Sequence, residues 1–270
     1  MQRDECGNAT RGDRLLAVDE PPAFLERRPA GCSDFFIVVD HASARIPRRL
    51  GTLGLPPAEL SRHIAWDIGA LGVALAMSEA LDAPLVAQNY SRLVIDCNRD
   101  PQVPTSIPTI GEATEIPGNI GLGSDEREAR RREIFEPYHA RVRELLDERD
   151  AAGRRTILIA QHSMTDVFKG VRREMQAAVL YNRDRRFAGL VLDGLRHEGL
   201  VVGDNEPYFV SDETDYSIPR HGEARGLPHV EIEIRQDLIR DPAGQAEWAR
   251  RLAAVLQAAE DNFLKTVAFS

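Results

Sequence analysis

Short apolar runs that end in polar clusters constrain this chain more than any other feature. Phe35-Phe36-Ile37-Val38-Val39 runs into Asp40-His41-Ala42-Ser43, and Thr156 to Ala160 runs into Gln161-His162-Ser163. Residues 229–235 (HVEIEIR) carry Glu231 and Glu233 inside a third run. Runs of this length read as strands buried on both faces, the usual state of a parallel sheet. Residues 92–96, 177–181 and 199–203 read as further strands. Helical periodicity predicts helices over 66–81, 124–150, 184–198 and 243–265. The second starts at Ser124 as N-cap and is kinked or split in two by Pro137. Strands alternating with helices predict an α/β fold, a three-layer α/β/α sandwich with a mixed, mostly parallel sheet.

The rest of the chain fits a single α/β domain over 31–270, preceded by a flexible arm. Residues 1–30 are polar and broken by Pro21, Pro22 and Pro29. Residues 100–123 hold four prolines and four glycines without periodicity, which predicts a long ordered loop over one face. With 270 residues, 43% hydrophobic and 29% charged, the composition excludes a disordered or collagen-like chain. A net charge of -9 argues against nucleic acid as a partner. The longest apolar run is too short to span a bilayer. The N-terminus lacks an apolar signal core, and Cys6, Cys32 and Cys97 form no close pair, so a reduced, cytoplasmic protein is expected. A monomer or a homodimer fits the amphipathic helices equally well.

Ligands of open α/β sheets collect beyond the C-terminal ends of strands. His41 and His162 occupy equivalent places there, and two such imidazoles can share a metal ion if their strands are neighbours. Catalytic Zn²⁺ usually takes three protein ligands. Asp67, at the start of an apolar helix, is the best third candidate, although it also suits a residue that satisfies free helix N–H groups. His63 and Asp40 are its rivals, and Asp40 equally suits a carboxylate that orients a ligating histidine. Glu231 and Glu233 point to one face of their strand, where carboxylates are costly unless paired or used. One could take a proton from a metal-activated water; alternatively they pair with Arg235 or with arginines of 92–99. Arg92, Asn98 and Arg99 bracket the strand expected over 92–96, and a guanidinium there suits either a grip on a substrate carboxylate or a salt bridge to Glu231 or Asp96. Asn205 and Tyr208 sit in a turn that could face a ligand. His139 and His197 lie in charged helical stretches and are expected to face solvent, whereas His221 and His229 either line the site or make turns. Nothing readable singles out a base that would activate Cys97.

These residues fall in stretches that resemble the N-formylglutamate amidohydrolase family: VDHASARIP (39–47), HIAWDIGALG (63–72), NYSRLVIDCNR (89–99), AQHSMT (160–165), VGDNEPY (202–208), HG (221–222) and LPHVEIEIRQDLI (227–239). The resemblance runs from about residue 34 to 260, and DIGALG and EIEIRQDLI look like a broader branch of the family. It implies a fold similar to zinc carboxypeptidases and hydrolysis of N-formyl-L-glutamate to formate and L-glutamate, a late step of histidine degradation. It also implies one divalent metal ion, Zn²⁺ or another ion that accepts histidine and carboxylate. By likeness His41, Asp67 and His162 would hold that ion and Glu233 would be the general base. Arg92, Asn98 and Arg99 would hold the carboxylates of a small acidic N-acyl amino acid or polarise its carbonyl. A hydrolase of another N-acyl amino acid, or a binding protein without catalysis, are the alternatives.

Overall fold

A computed structural model describes residues 14–267. Seven strands form one sheet: β1 (Phe24–Arg27), β2 (Phe35–Val39), β3 (Leu85–Gln88), β4 (Ile157–Met164), β5 (Ala177–Leu180), β6 (Val202–Asp204) and β7 (His229–Arg235). Their order across the sheet is β1-β3-β2-β4-β7-β5-β6. The four central strands β3, β2, β4 and β7 are mutually parallel. β1 runs antiparallel to β3, and β5 antiparallel to β7. Strands β2 and β4 are wholly buried because both sheet faces are covered. Phe35, Ile37 and Val39 join the core beneath helices α1 (Ala70–Leu81), α4 (Arg186–His197) and α5 (Pro242–Val267). Phe36 and Val38 join the core on the other face, under α2 (Ser124–Arg130) and α3 (Glu136–Ala151). The architecture is therefore the expected helix–sheet–helix sandwich. Among the described residues no helix is long and apolar enough to cross a membrane.

Several expectations need correction. Residues 92–96 are not a strand; the strand beside β2 is β3. Leu93, Val94 and Ile95 are buried, but in turns whose carbonyls are satisfied by side chains. Asn119 Nδ2 donates to Leu93 O at 2.8 Å and Arg130 Nη1 to Val94 O at 3.0 Å. Apolar character here marks burial, not a ladder. The arm expected over 1–30 is part of the fold from residue 14 onward, and its first 13 residues lie outside the described residues. Leu15 and Leu16 are buried, their N–H groups each donate to the Glu133 carboxylate at 3.0 Å, and β1 closes the sheet edge. The helix over 124–150 starts one residue differently: Gly123 is the N-cap, its N–H donating to Glu126 Oε2 at 3.0 Å, and Ser124 is the first helical residue. A wide π turn, Arg131–Phe135, joins α2 to α3. Pro137, which has no N–H to donate into the preceding turn, follows this π turn within the first turn of α3, so the helical stretch is divided where the proline stands.

Helix α1 starts later than the periodicity suggests, leaving residues 66–69 as a lead-in. Asp67 N donates to His41 O at 2.9 Å, which ties this lead-in to the end of β2. Gly69 is left-handed (φ +82), and a Cβ there would lie 2.1 Å from Ile239 O, so only glycine fits. The 100–123 loop carries a small hairpin, Ile110–Gly111 with Thr114–Glu115.

Candidate functional site

Three parallel neighbours, β2, β4 and β7, deliver their C-terminal ends to one place. His41 follows β2, His162 lies late in β4, and Glu233 is opposite His162 in β7. The face that carries His162, Glu231 and Glu233 is cleared by small cross-strand neighbours: Ala160 is paired with Glu231 and Ala178 with Glu233. With Asp67 these side chains open into a cleft of about 380 Å³.

His41, Asp67 and His162 are buried, and one ligand atom from each lies within 4.8 Å of the others. Asp67 Oδ2 is shared between His162 Nδ1 at 2.9 Å and His41 Nδ1 at 3.4 Å. The opposite nitrogens face other acids. His41 Nε2 is 2.7 Å from Asp96 Oδ1, a bond in which an ionised carboxylate can only accept. That places the proton of a neutral His41 on Nε2 and leaves Nδ1 with a lone pair aimed at Asp67. His162 Nε2 lies 3.4 Å from Asp40 Oδ2, and Asp40 is held by Tyr138 Oη at 2.8 Å and Ser217 Oγ at 2.6 Å. Two imidazoles that turn one nitrogen inward and the other onto a carboxylate form the usual surroundings of a metal ion.

Charge and unpaired atoms point the same way. Five buried acids, Asp40, Asp67, Asp96, Glu231 and Glu233, crowd two histidines and Arg92. Asp40 Oδ2, His41 Nδ1, His162 Nε2, Glu231 Oε2 and Glu233 Oε2 have no hydrogen-bond partner. Burial pushes Asp67 upward, but His41 and His162 outweigh it and hold its carboxyl below the ordinary range. Burial also opposes charging His162, yet Glu231, Asp40 and Asp67 raise it well above the ordinary imidazole. A cluster that calls for positive charge on its ligand nitrogens also fits a divalent cation. Burial, reinforced by Asp67, pushes Glu233 up to about 7 against the pull of His162 and His41. Burial raises Glu231 well above its ordinary value too.

The remaining candidates divide. His63 lines the cleft but stands outside the three-residue cluster, with Nε2 at 3.6 Å from Glu112 Oε2. Asp40 takes the orienting place. Arg92 lines the cleft while binding Asp96 Oδ2 through Nε at 3.2 Å and Nη2 at 2.7 Å. Arg99 lines it with no side-chain hydrogen bond or ion pair among the described residues. Asn98 also borders it, but its amide is spent: Oδ1 accepts from Tyr216 N and Ser217 N, and Nδ2 donates to Asp215. Tyr208 forms part of the wall, stacked on Arg173. Asn205 is not brought into the cleft; it is left-handed (φ +52), and its Oδ1 accepts from Tyr181 N at 2.9 Å. It holds the turn instead.

His139 is also corrected. It is fully buried, with Nε2 at 2.8 Å from Cys97 O and Nδ1 at 2.9 Å from His221 Nε2, and burial pushes it down to about 4. His221 and His229 are buried outside the cleft lining. Sequence reasoning missed Asp215, Thr214 and Phe209, which border the cleft from an irregular segment without periodicity. Asp96, which the sequence suggests only as a partner for an arginine, has one signal, its place after an apolar run.

Comparison with known proteins now adds to this geometry. The chain is similar over 92% of its length, with 40% identity and a TM-score of 0.90, to the crystal structure of gene product Atu2144 from Agrobacterium tumefaciens, covering 99% of that chain. It is also similar to N-formylglutamate amidohydrolase from Ralstonia eutropha JMP134, at 21% identity and a TM-score of 0.70. That likeness, which covers 89% of this chain and 98% of the other, shows a shared fold. No curated protein sequence matches the chain. The N-formylglutamate amidohydrolase family model matches residues 33–240, most of the chain and all of the clustered residues, and the chain therefore belongs to the N-formylglutamate amidohydrolase family.

Proposed function

We propose that the chain is a metal-dependent amide hydrolase that converts N-formyl-L-glutamate to L-glutamate and formate, in the cytoplasm and within histidine degradation. The observation that carries this reading is the meeting of His41, Asp67, His162 and Glu233 in one buried cleft bordered by Arg92 and Arg99. His41 Nδ1, His162 Nδ1 and an Asp67 carboxylate oxygen would hold the ion, a donor set that suits Zn²⁺. When bound, the ion supplies Lewis-acid polarisation of the amide carbonyl and makes a nearby water more acidic. Glu233, which lines the cleft opposite His162, accepts a proton from the attacking water and passes it to the departing nitrogen. Asp96, hydrogen-bonded to His41 Nε2, keeps that imidazole in the tautomer and orientation that ligation requires, while the Asp40 carboxylate lies 3.4 Å from His162 Nε2. Arg99 binds a substrate carboxylate, with Arg92 beside it.

One observation favours a second reading, an N-acyl amino acid with one carboxylate. Arg92 is already tied to Asp96, so Arg99 alone offers an unengaged guanidinium among these two, whereas N-formyl-L-glutamate carries two carboxylates. The deciding experiment is formate release from N-formyl-L-glutamate before and after chelation, with Zn²⁺ restored. Metal-dependent release supports the reading. Stoichiometric metal without release would keep the site and discard this substrate.

A further inference from the structure

Pro207, Tyr208 and Phe209, consecutive in the chain, all border the cleft that holds His41, Asp67, His162 and Glu233. The segment is pinned on both sides. Asn205 Oδ1 accepts from Tyr181 N at 2.9 Å, Val210 is buried in the core, and Asp215 accepts from Asn98 Nδ2 at 3.0 Å. Tyr208 is braced as well. The Arg173 guanidinium lies over its ring at 4.9 Å and donates to its hydroxyl. The same guanidinium lies over the Phe168 ring at 5.3 Å and donates to Thr165 O at 3.1 Å. Phe209 has no such brace: it is 63% exposed, it joins neither core, and its ring meets no other ring or cation among the described residues.

A lone exposed apolar side chain is ordinary. An uncovered aromatic ring on a pinned segment, beside two further apolar residues and at a cleft of candidate catalytic groups, is a surface that a ligand covers. N-formyl-L-glutamate has little to cover it with, since it offers a formyl hydrogen, two carboxylates and the short methylene chain between them. The polar side of the cleft agrees. Arg92 is tied to Asp96, and Arg99 offers the one unengaged guanidinium of the two, which a single carboxylate satisfies.

We infer that Phe209, beside the braced Tyr208, is a specificity-determining wall that takes an apolar group of the substrate. The substrate class is then an N-acyl amino acid with one carboxylate and an apolar group beyond the scissile amide. This inference rests on the hydrolase reading above. The apolar group belongs to the amino-acid side chain or to the acyl part, and the ring recognises the same chemistry in both. With N-formyl-L-phenylalanine, the oxygen of water bonds to the formyl carbon. The C–N bond breaks, its electron pair stays on nitrogen, and that nitrogen takes a proton from the water. The products are formate and L-phenylalanine.

The test measures amino-acid release by the zinc-loaded protein from two matched pairs, with N-formyl-L-glutamate alongside. One pair is N-formyl-L-phenylalanine and N-formylglycine; the other is N-phenylacetylglycine and N-acetylglycine. Covering roughly 55 Å² of apolar surface predicts kcat/KM about tenfold higher for the phenyl member of at least one pair. The pair that shows it identifies which end of the substrate meets the ring. Phe209→Ala should bring that ratio down to about two, whereas Phe209→Leu should keep most of it. Calorimetric binding to zinc-loaded Glu233→Gln should show the same preference without turnover. Ratios near one in both pairs, or a ratio that Phe209→Ala leaves unchanged, would overturn the inference while leaving the hydrolase intact. Failure of all five compounds to yield an amino acid would overturn the hydrolase reading and the inference with it.

Discussion

Replacing Glu233 by glutamine separates its two roles, a proton acceptor in the cleft and a buried acid that the fold must tolerate. Its ordinary value is 4.5 and its value in the fold is about 7. The folded chain therefore holds a proton that the unfolded chain has released between these values, and stability falls as pH rises through that window. Applying about 1.4 kcal/mol per unit, burying this acid lowers stability by roughly 1 kcal/mol at pH 5, where only the unfolded chain is ionised, and by about 3 kcal/mol at pH 8. Glutamine keeps the shape and never ionises. The metal-free variant should gain about 2 kcal/mol relative to the metal-free parent between pH 5 and pH 8, whatever constant offset the amide introduces. Urea denaturation of both proteins in chelator, at several pH values, measures this directly. In the zinc-loaded state the same substitution should lower kcat by about 10²- to 10⁴-fold with metal content unchanged. Parallel stability curves from pH 5 to 8 would refute the burial argument, and near-parental turnover would refute the proton-transfer role.

Asp96→Asn removes the negative charge behind His41 and should weaken zinc binding about 10- to 100-fold in a competition titration. Arg99→Ala removes the unengaged guanidinium and should lower kcat/KM for acidic substrates by about 10- to 100-fold, the equivalent of one charge-assisted hydrogen bond, with zinc affinity unchanged. Asn205→Ala loses both a favoured left-handed residue and the acceptor for Tyr181 N; denaturation should show a loss of about 1–2 kcal/mol, with kcat/KM of the folded fraction within about twofold of the parent. Ala178→Leu places bulk beside Glu233 and should reduce kcat more than zinc content, as measured by metal analysis alongside turnover.

The chain announces its central strands because they are buried on both faces and so cannot alternate. β2, β4 and β7 follow directly from their apolar runs, and the two histidines at their ends follow from the habit of open sheets to gather ligands there. What escapes is apolar sequence with a different duty. Residues 92–96 look like β2 in composition, but Asn119 and Arg130, distant in sequence, take up carbonyls that a strand would give to a ladder. β1 escapes for the opposite reason: FLER at a sheet edge is half exposed and carries charges. His139 sits among charged residues on a helix that looks solvated, yet it is on the inward stripe, capped by Cys97 O.

The site was legible as a residue set and illegible as an arrangement. Nothing local in the sequence states that β7 lies beside β4 in a register that sets Glu233 opposite His162 and Glu231 opposite Ala160. That register is fixed by the other face, where Val230, Ile232 and Ile234 enter the core; a slip of one residue would bury the glutamates there and expose the isoleucines to the cleft. The apolar half of HVEIEIR thus holds the acidic half in place. The neighbouring alanines, Ala160 and Ala178, leave the room that two carboxylates need. Their small size carries no signal until the pairing is known. Asp67 and Asp96 reach the histidines from irregular segments, where a hydrogen bond to His41 O and a grip from Arg92 replace the regular ladder. The chemistry of the cleft is therefore written in residue types along the chain, while its geometry is written in long-range packing that only the folded sheet makes explicit.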